Sequence, residues 1–298
     1  MKKFALALIA ALTAGVCLVA TACGGNIELV ANDAQDILQE DFGIAVKKGD
    51  AEMLSAVNSV VDEWLENGNM DKYFDYYNEL AEEGANPAAP EGLKLEWDLS
   101  GYTEELHLYT ETGFAPYEFV SSKGYPLSST ANVAGIDIAI ACQVAENLNC
   151  KLVVHDVLFD TVIQSLNSQS GKAMAAAGIT ITEERAGAAD FSNVYSSSTI
   201  TIVCAAGADY HKLADLDGLK IGVQEGTSGD LIASAAKTSE GYSYEDEDGN
   251  QTQPIKLGEN TQIVQMKSYS ALMQALKSGK IDVIFMDKMP ALLLIKNA

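Results

Sequence analysis

Cysteine and histidine are scarce in this chain, with five and three among 298 residues. No Cys-x-x-Cys pair occurs, and His107, His155 and His211 do not cluster with cysteines at metal-ligand spacing. This pattern excludes the common zinc frameworks, and neither a metal nor a cofactor is expected. Cys142 and Cys150 could bridge, one on a helix and one at the start of the next strand, or lie buried as small hydrophobes beside Cys204. Basic residues are also few: 19 Lys and Arg stand against 42 Asp and Glu, for a net charge of −23. Such a chain does not bind nucleic acid or an anionic membrane surface by bulk electrostatics. The acidity reads as a solvated surface and says nothing firm about a ligand.

What is present begins with an export signal. Lys2 and Lys3 precede an apolar, small-residue run over 4–20, too short and too alanine-rich for a membrane span. Ala20, Thr21 and Ala22 then lead into Cys23, Gly24 and Gly25, which resembles a bacterial lipobox. Cleavage before Cys23 would leave it lipidated; the alternative is ordinary secretion with Cys23 removed or free. Removing residues 1–22 takes away two lysines and no acid, so the charge moves from −23 to −25. The roughly 275 residues left permit two domains.

Residues 50–80 read as a helical hairpin. Asp50 is an N-cap, and Met53, Leu54, Val57, Val60, Val61, Trp64 and Leu65 follow at helical spacing as its core positions. Asn67 and Gly68 break the helix, and an aromatic helix with Tyr73, Phe74 and Tyr77 follows. Further on, two segments echo each other. Ile163 to Leu166 precedes Ser170, Gly171 and Lys172 and a small-residue run. Met273 to Leu276 precedes Ser278, Gly279 and Lys280 and an apolar run. Each is an amphipathic helix, a glycine that ends it and a buried strand, stopping at Thr180 in one case and Asp287 in the other. In open α/β sheets ligands bind beyond the carboxyl ends of strands. Two such units therefore suggest two similar α/β lobes facing each other; chance similarity is the alternative. Strands are expected over 106–109, 151–154 and 220–223, and a helix over 136–148. Residues 82–92, with two prolines, read as a linker, and the acidic stretch 242–252 as a surface insertion.

Several ordered motifs resemble the family 3 solute-binding proteins, the polar amino-acid receptors of ABC importers. They are the TETGFAPYEF stretch over 110–119; Gly135, Ile136 and Asp137; Leu158, Phe159 and Asp160; the AGITITEER stretch over 177–185; Asp190, Phe191, Ser192 and Tyr195; the QEGTS stretch over 224–228; and Met286 with Asp287. The resemblance covers nearly the whole mature chain. It implies a type II periplasmic-binding-protein-like α/β fold of two lobes joined by two hinge strands. It also implies an extracytoplasmic monomer that delivers an amino acid to the transmembrane subunits of an ABC permease, with no enzymatic activity; the lipobox-like Cys23 would add a lipid anchor, and the acidity leaves no nucleic-acid partner. The order departs from the family at the ends: the DFGIAVKKGD stretch over 41–50 and the helical hairpin, usually last, stand first. A circular permutation is inferred, with lobe 1 over 43–195 (including a linker, 81–105, joining the usual termini) and lobe 2 made of 26–42 and 196–298. A miscut tandem duplication or a swapped dimer are its rivals.

The resemblance also implies site residues. Arg185 offers a planar fork to an amino-acid carboxylate, its alternative being a surface pair with Glu183 or Glu184. Thr180 adds donors to the carboxylate, and Gly178 a backbone carbonyl to the ammonium. Thr227 and Ser228 lie at a helix N-terminus, as anion donors, N-caps or both. Asp287 is the ammonium partner, or a turn aspartate. Phe114 and Phe159 sandwich the side chain, unless Phe159 is core. Glu111 and Gln224 face the side chain, and Glu111 points to a cationic one, although a Glu equally accepts from amides and hydroxyls. One rival is a dehydratase-like enzyme on the same scaffold, for which Glu111 is the one obvious acid in the cleft. The other is a sensing module for a separate receptor.

Overall fold

The computed structural model describes residues 28–33, 39–128, 130–244 and 250–298; the expected export signal and Cys23 lie outside them. In chain order, β1 (Leu29–Asp33), β2 (Gln39–Phe42) and β3 (Ala45–Lys47) precede the hairpin α1 (Ala51–Glu66) and α2 (Asn69–Leu80). The Asp50 side chain accepts from Met53 N at 3.1 Å, capping α1. Gly68, at φ +72°, makes the left-handed turn between the helices. Met53, Val57, Val60, Val61 and Trp64 are buried, but Leu65 is 45% exposed and Leu54 is half-buried. That corrects the expected core: at 100° per residue, Leu54 and Leu65 each step off the buried face of their neighbour. Trp64 stacks on Tyr73 at 4.1 Å, locking the hairpin.

Next come β4 (Glu104–Thr110) and a small sheet of β5 (Gly113–Phe114), β6 (Glu118–Ser121), β7 (Tyr125–Pro126) and β8 (Asn132–Ala134). They are followed by α3 (Ile136–Asn147), β9 (Cys150–Asp156), α4 (Val162–Ser168), β10 (Lys172–Ala175), α5 (Glu183–Ala188) and β11 (Ala189–Phe191). The long β12 (Ser196–Ala205) leads to β13 (Lys220–Gln224), α6 (Ser228–Ala236) and β14 (Gln262–Met266). The chain closes with α7 (Tyr269–Lys277), β15 (Val283–Asp287) and α8 (Lys288–Lys296).

The two main sheets have matching orders, β9-β4-β10-β3-β11 and β14-β13-β15-β12-β1. In each, the first two junctions are parallel and the last two antiparallel. The helix–glycine–strand echo lands on α4–β10 and α7–β15, whose strands hold the same central place in the two orders. In β15, Val283 and Phe285 join the cluster with Ile232 of α6, while Ile284 and Met286 join the one with Leu272 of α7. A strand covered on both faces must be apolar throughout, hence its unbroken apolar run.

Two connections run between the sheets. Gly43 and Ile44 carry β2 into β3, and residues 192–195 carry β11 into β12. β2 pairs with the first half of β12, Phe42 opposite Ser196. α8 packs against β1, β12 and β15, and its end meets the end of α2: Asn297 accepts from Glu83 N at 2.9 Å and donates to Ala81 O at 2.8 Å. Residues 81–103, between α2 and β4, form no helix or strand but are tied down. Lys94 pairs with Glu146 of α3 at 2.5 Å, and Leu99 is buried. Cys142, Cys150 and Cys204 are free and buried, so burial rather than a bridge is their state. Among the described residues no helix is long and apolar enough to cross a membrane.

Candidate functional site

The carboxyl ends of β4, β10, β13 and β15 point loops and side chains into one narrow cavity. From the five-stranded side come Glu111, Phe114, Phe159, Ala177, Gly178 and Thr180; from the six-stranded side come Gln224, Thr227, Ser228, Tyr269 and Asp287. Nine of the ten residues singled out in the sequence thus line it. Arg185 is set just behind this wall.

The backbone explains several placements. Gly178 sits at φ +53°, and a β-carbon there would come 2.4 Å from the Phe114 ring. Only glycine lets the aromatic wall lie against this loop. Phe114 is stacked with Tyr269 of the opposite side at 5.9 Å. Thr227 N-caps α6, its hydroxyl donating to Gln224 O at 2.8 Å and accepting from Asp230 N at 3.4 Å. Its hydroxyl is therefore spent on the turn, as the capping alternative held. Ser228 Oγ instead lies 2.8 Å from Thr180 Oγ1.

Arg185, on α5, does not pair with Glu183 or Glu184. Its Nη1 donates to Thr180 O at 2.8 Å and its Nη2 to Gly226 O at 2.9 Å, so the fork ties one side to the other. Its guanidinium lies over the Phe159 ring at 5.4 Å. Burial lowers the Arg185 pKa against the pull of Glu40, Glu184 and Asp287, and the group stays cationic.

The carboxyls are the more unusual part. Burial pushes Glu111 up to about 7, against a hydrogen bond from Gln224 that lowers it. Asp137 is wholly buried and accepts from Gly178 N at 3.0 Å and from Tyr195 OH at 2.6 Å, holding the cavity loop; burial raises it to about 6. Glu118 beside it is held well above the carboxylate range by burial and then by Asp137. Burial likewise holds Asp287 well above its ordinary value, with the Glu40 charge adding to it.

Glu40 and Tyr269 were missed from sequence. Glu40 is 1% exposed, and its Oε1 accepts from Thr180 Oγ1 at 3.0 Å. Glu111 is therefore not the one acid of the cleft. In β2, Glu40 and Phe42 face inward while Gln39 and Asp41 face out, an alternation that the polar run Gln39, Glu40 and Asp41 does not display in sequence. Tyr269 opens α7 behind the N-cap Ser268, a position from which sequence gives no depth.

Chemically, the cavity is walled by aromatic rings and has buried carboxyls from both sides, with a guanidinium and a helix N-terminus at one edge. It suits a small molecule that carries positive groups and a carboxylate.

Residues 106–253 match the family described as bacterial extracellular solute-binding proteins, family 3. The chain is 25% identical over 188 residues to the arginine-binding extracellular protein of Bacillus subtilis (strain 168), covering 63% of each. It is 27% identical over 180 residues to the arginine-binding periplasmic protein of Mannheimia haemolytica, covering 59% of this chain and 60% of that one. A probable histidine-binding protein of Neisseria gonorrhoeae is 25% identical over 185 residues, with 62% and 59% covered. The match thus spans about three fifths of the length of these curated relatives, 63%, 60% and 59%. Among solved structures, the arginine-bound truncated arginine-binding protein of T. maritima superposes with TM-score 0.50 at 25% identity, over 64% of this chain and 77% of that one. An ancestral arginine-binding protein bound to arginine gives 0.51 at 28%, over 65% and 74%.

Proposed function

The chain belongs to the bacterial extracellular solute-binding proteins of family 3, and from that premise we propose that it captures an amino acid by closing two lobes on it and delivers it to an ABC permease. Lobe 1 is 43–195, and lobe 2 is 26–42 with 196–298. The observation that carries the reading is the cavity itself: Glu111, Phe114 and Thr180 meet Gln224, Ser228 and Asp287 across the gap between the two sheets. In this reading the ligand carboxylate takes the Arg185, Thr180 and α6 N-terminal edge, and the ammonium takes Asp287 and Gly178 O. Phe114, Phe159 and Tyr269 hold the side chain. Contacts to both lobes exist only when the cleft is shut, so binding favours closure.

The ligand is a cationic amino acid, arginine or lysine. Glu111 and Asp287 supply carboxylates to two positive groups, and Arg185 to the one negative group. Relatives named as arginine- and histidine-binding proteins support this choice. Calorimetry with all twenty amino acids tests it: arginine or lysine binds tightest, and tight binding of glutamate with none of arginine or lysine overturns it.

The unusual order of segments is a circular permutation within one chain. It is supported by β1 lying under α8 and by the two matching sheet orders. Superposition on solved relatives over 64–65% of the chain also fits, since the stretch from β4 onward is about that share. Cleavage before Cys23 with lipidation anchors the protein outside the membrane; the mass of the mature N-terminal peptide tests that step. The protein acts as a monomer and carries out no bond-making step.

A further inference from the structure

Glu40 and Asp287 form a buried carboxyl pair at the heart of the cleft. They are 1% and 6% exposed. Glu40 comes from β2, beside the crossing into β3, and Asp287 from the end of β15. One oxygen of Glu40, Oε1, is satisfied by Thr180. The other, Oε2, has no donor, and neither does Asp287 Oδ1, although both atoms are fully buried. The two carboxyls lie within hydrogen-bonding reach of each other. Two orphaned acceptors in contact are costly, and one proton between them satisfies both. Burial, with the charge of Glu40, keeps that proton on Asp287.

The groups around the pair agree with this. Thr180 offers a hydroxyl to Glu40 from the loop after β10, and Ser198 Oγ, on β12 opposite Glu40, is buried without a partner of its own. Tyr269 of α7 and Tyr242 face Glu40 as neutral phenols, Tyr117 faces Asp287, and Glu111 lies beyond Tyr269. Arg185 faces both acids, but its two Nη groups are held by Thr180 O and Gly226 O.

We propose that Glu40 stores one proton with Asp287 in the empty cleft, and that an incoming ammonium takes the place of this proton. The exchange balances: one ammonium enters, one proton leaves to solvent, the pair goes from −1 to −2, and the pair with its ammonium again carries −1. The three N–H donors of an ammonium then satisfy Asp287 Oδ1 and Glu40 Oε2 directly. A solute without a positive amine cannot release the proton without leaving two buried carboxylates in contact. The device therefore selects for an amine before any side-chain contact is made. This rests on the reading that the cleft takes an amino acid.

The test is calorimetry of the full chain with L-arginine at pH 8, in buffers of differing ionisation enthalpy. At that pH Glu111, near 7, is already mostly ionised and contributes little. The wild type is expected to release about one proton per arginine bound, by linkage. Glu40→Gln is expected to release clearly less than the wild type, because the Glu40 charge is gone and the amide N–H can satisfy an ionised Asp287, although burial still raises it. Equal release in the two proteins overturns the proposal. So does an absence of release in the wild type, which needs no variant to fold. If no amino acid binds the wild type at all, the reading of the cleft falls first and this inference with it.

Discussion

Thr180 and Ser228 face each other across the cleft with their hydroxyl oxygens 2.8 Å apart. Thr180 follows β10 and Ser228 opens α6, so this contact joins the five-stranded side of the cavity to the six-stranded side. Ser228→Ala removes it while leaving the Thr227 cap untouched. With a neutral hydrogen bond worth about 1 kcal/mol, amino-acid affinity should fall about fivefold. The melting temperature of the ligand-free protein should barely move. A titration showing unchanged affinity would place the closed contact outside the binding event.

Arg185→Ala removes two charge-assisted bonds, to Thr180 O and Gly226 O on opposite sides of the cavity, and the fork offered to a carboxylate. At about 1.5–3 kcal/mol for each such bond, affinity should drop at least a hundredfold. Circular dichroism should show the secondary structure retained, since α5 is short and sits beyond the core strands. Wild-type affinity in this variant contradicts the placement of the carboxylate.

Lys267, just after β14, reaches Asp160, just after β9, at 3.0 Å and Glu225 at 2.5 Å. The lysine side chain is half-exposed, so the bridge is weak and screened. Lys267→Ala should lower affinity by about threefold at low ionic strength and hardly at all in 1 M salt. A loss that persists in high salt assigns Lys267 to the ligand rather than to closure.

The ligand-free protein should be less stable at pH 8 than at pH 5. Glu111 rises from an ordinary 4.5 to about 7 on folding, and Asp137 from 3.8 to about 6, both by burial. Between those values the folded state binds more protons than the unfolded one, so stability is lost as pH rises. Thermal melts across pH 5–8 check the sign. A cationic ligand favours ionised Glu111 and should flatten the slope.

Much of the site was legible because family-like motifs place backbone turns and side chains together. Gly178 is required where the loop meets the Phe114 ring, and Thr227 and Ser228 where α6 begins. These are local demands, and local residue order expresses them. Glu40 was not legible, because an acid beside Asp41 on a short strand reads as surface until the strand has a partner. The pairing of β2 with β12 turns Glu40 inward.

The α/β class, the paired helix–glycine–strand units and most cavity residues follow from local residue order. Periodicity and turn chemistry are written in near neighbours. Which acids meet depends on long-range packing. It set Glu40 against Asp287 and Glu118 against Asp137, and it spent the Arg185 fork on two carbonyls. Those contacts join residues up to about 250 positions apart, and their energies depend on burial, which no stretch of sequence displays alone.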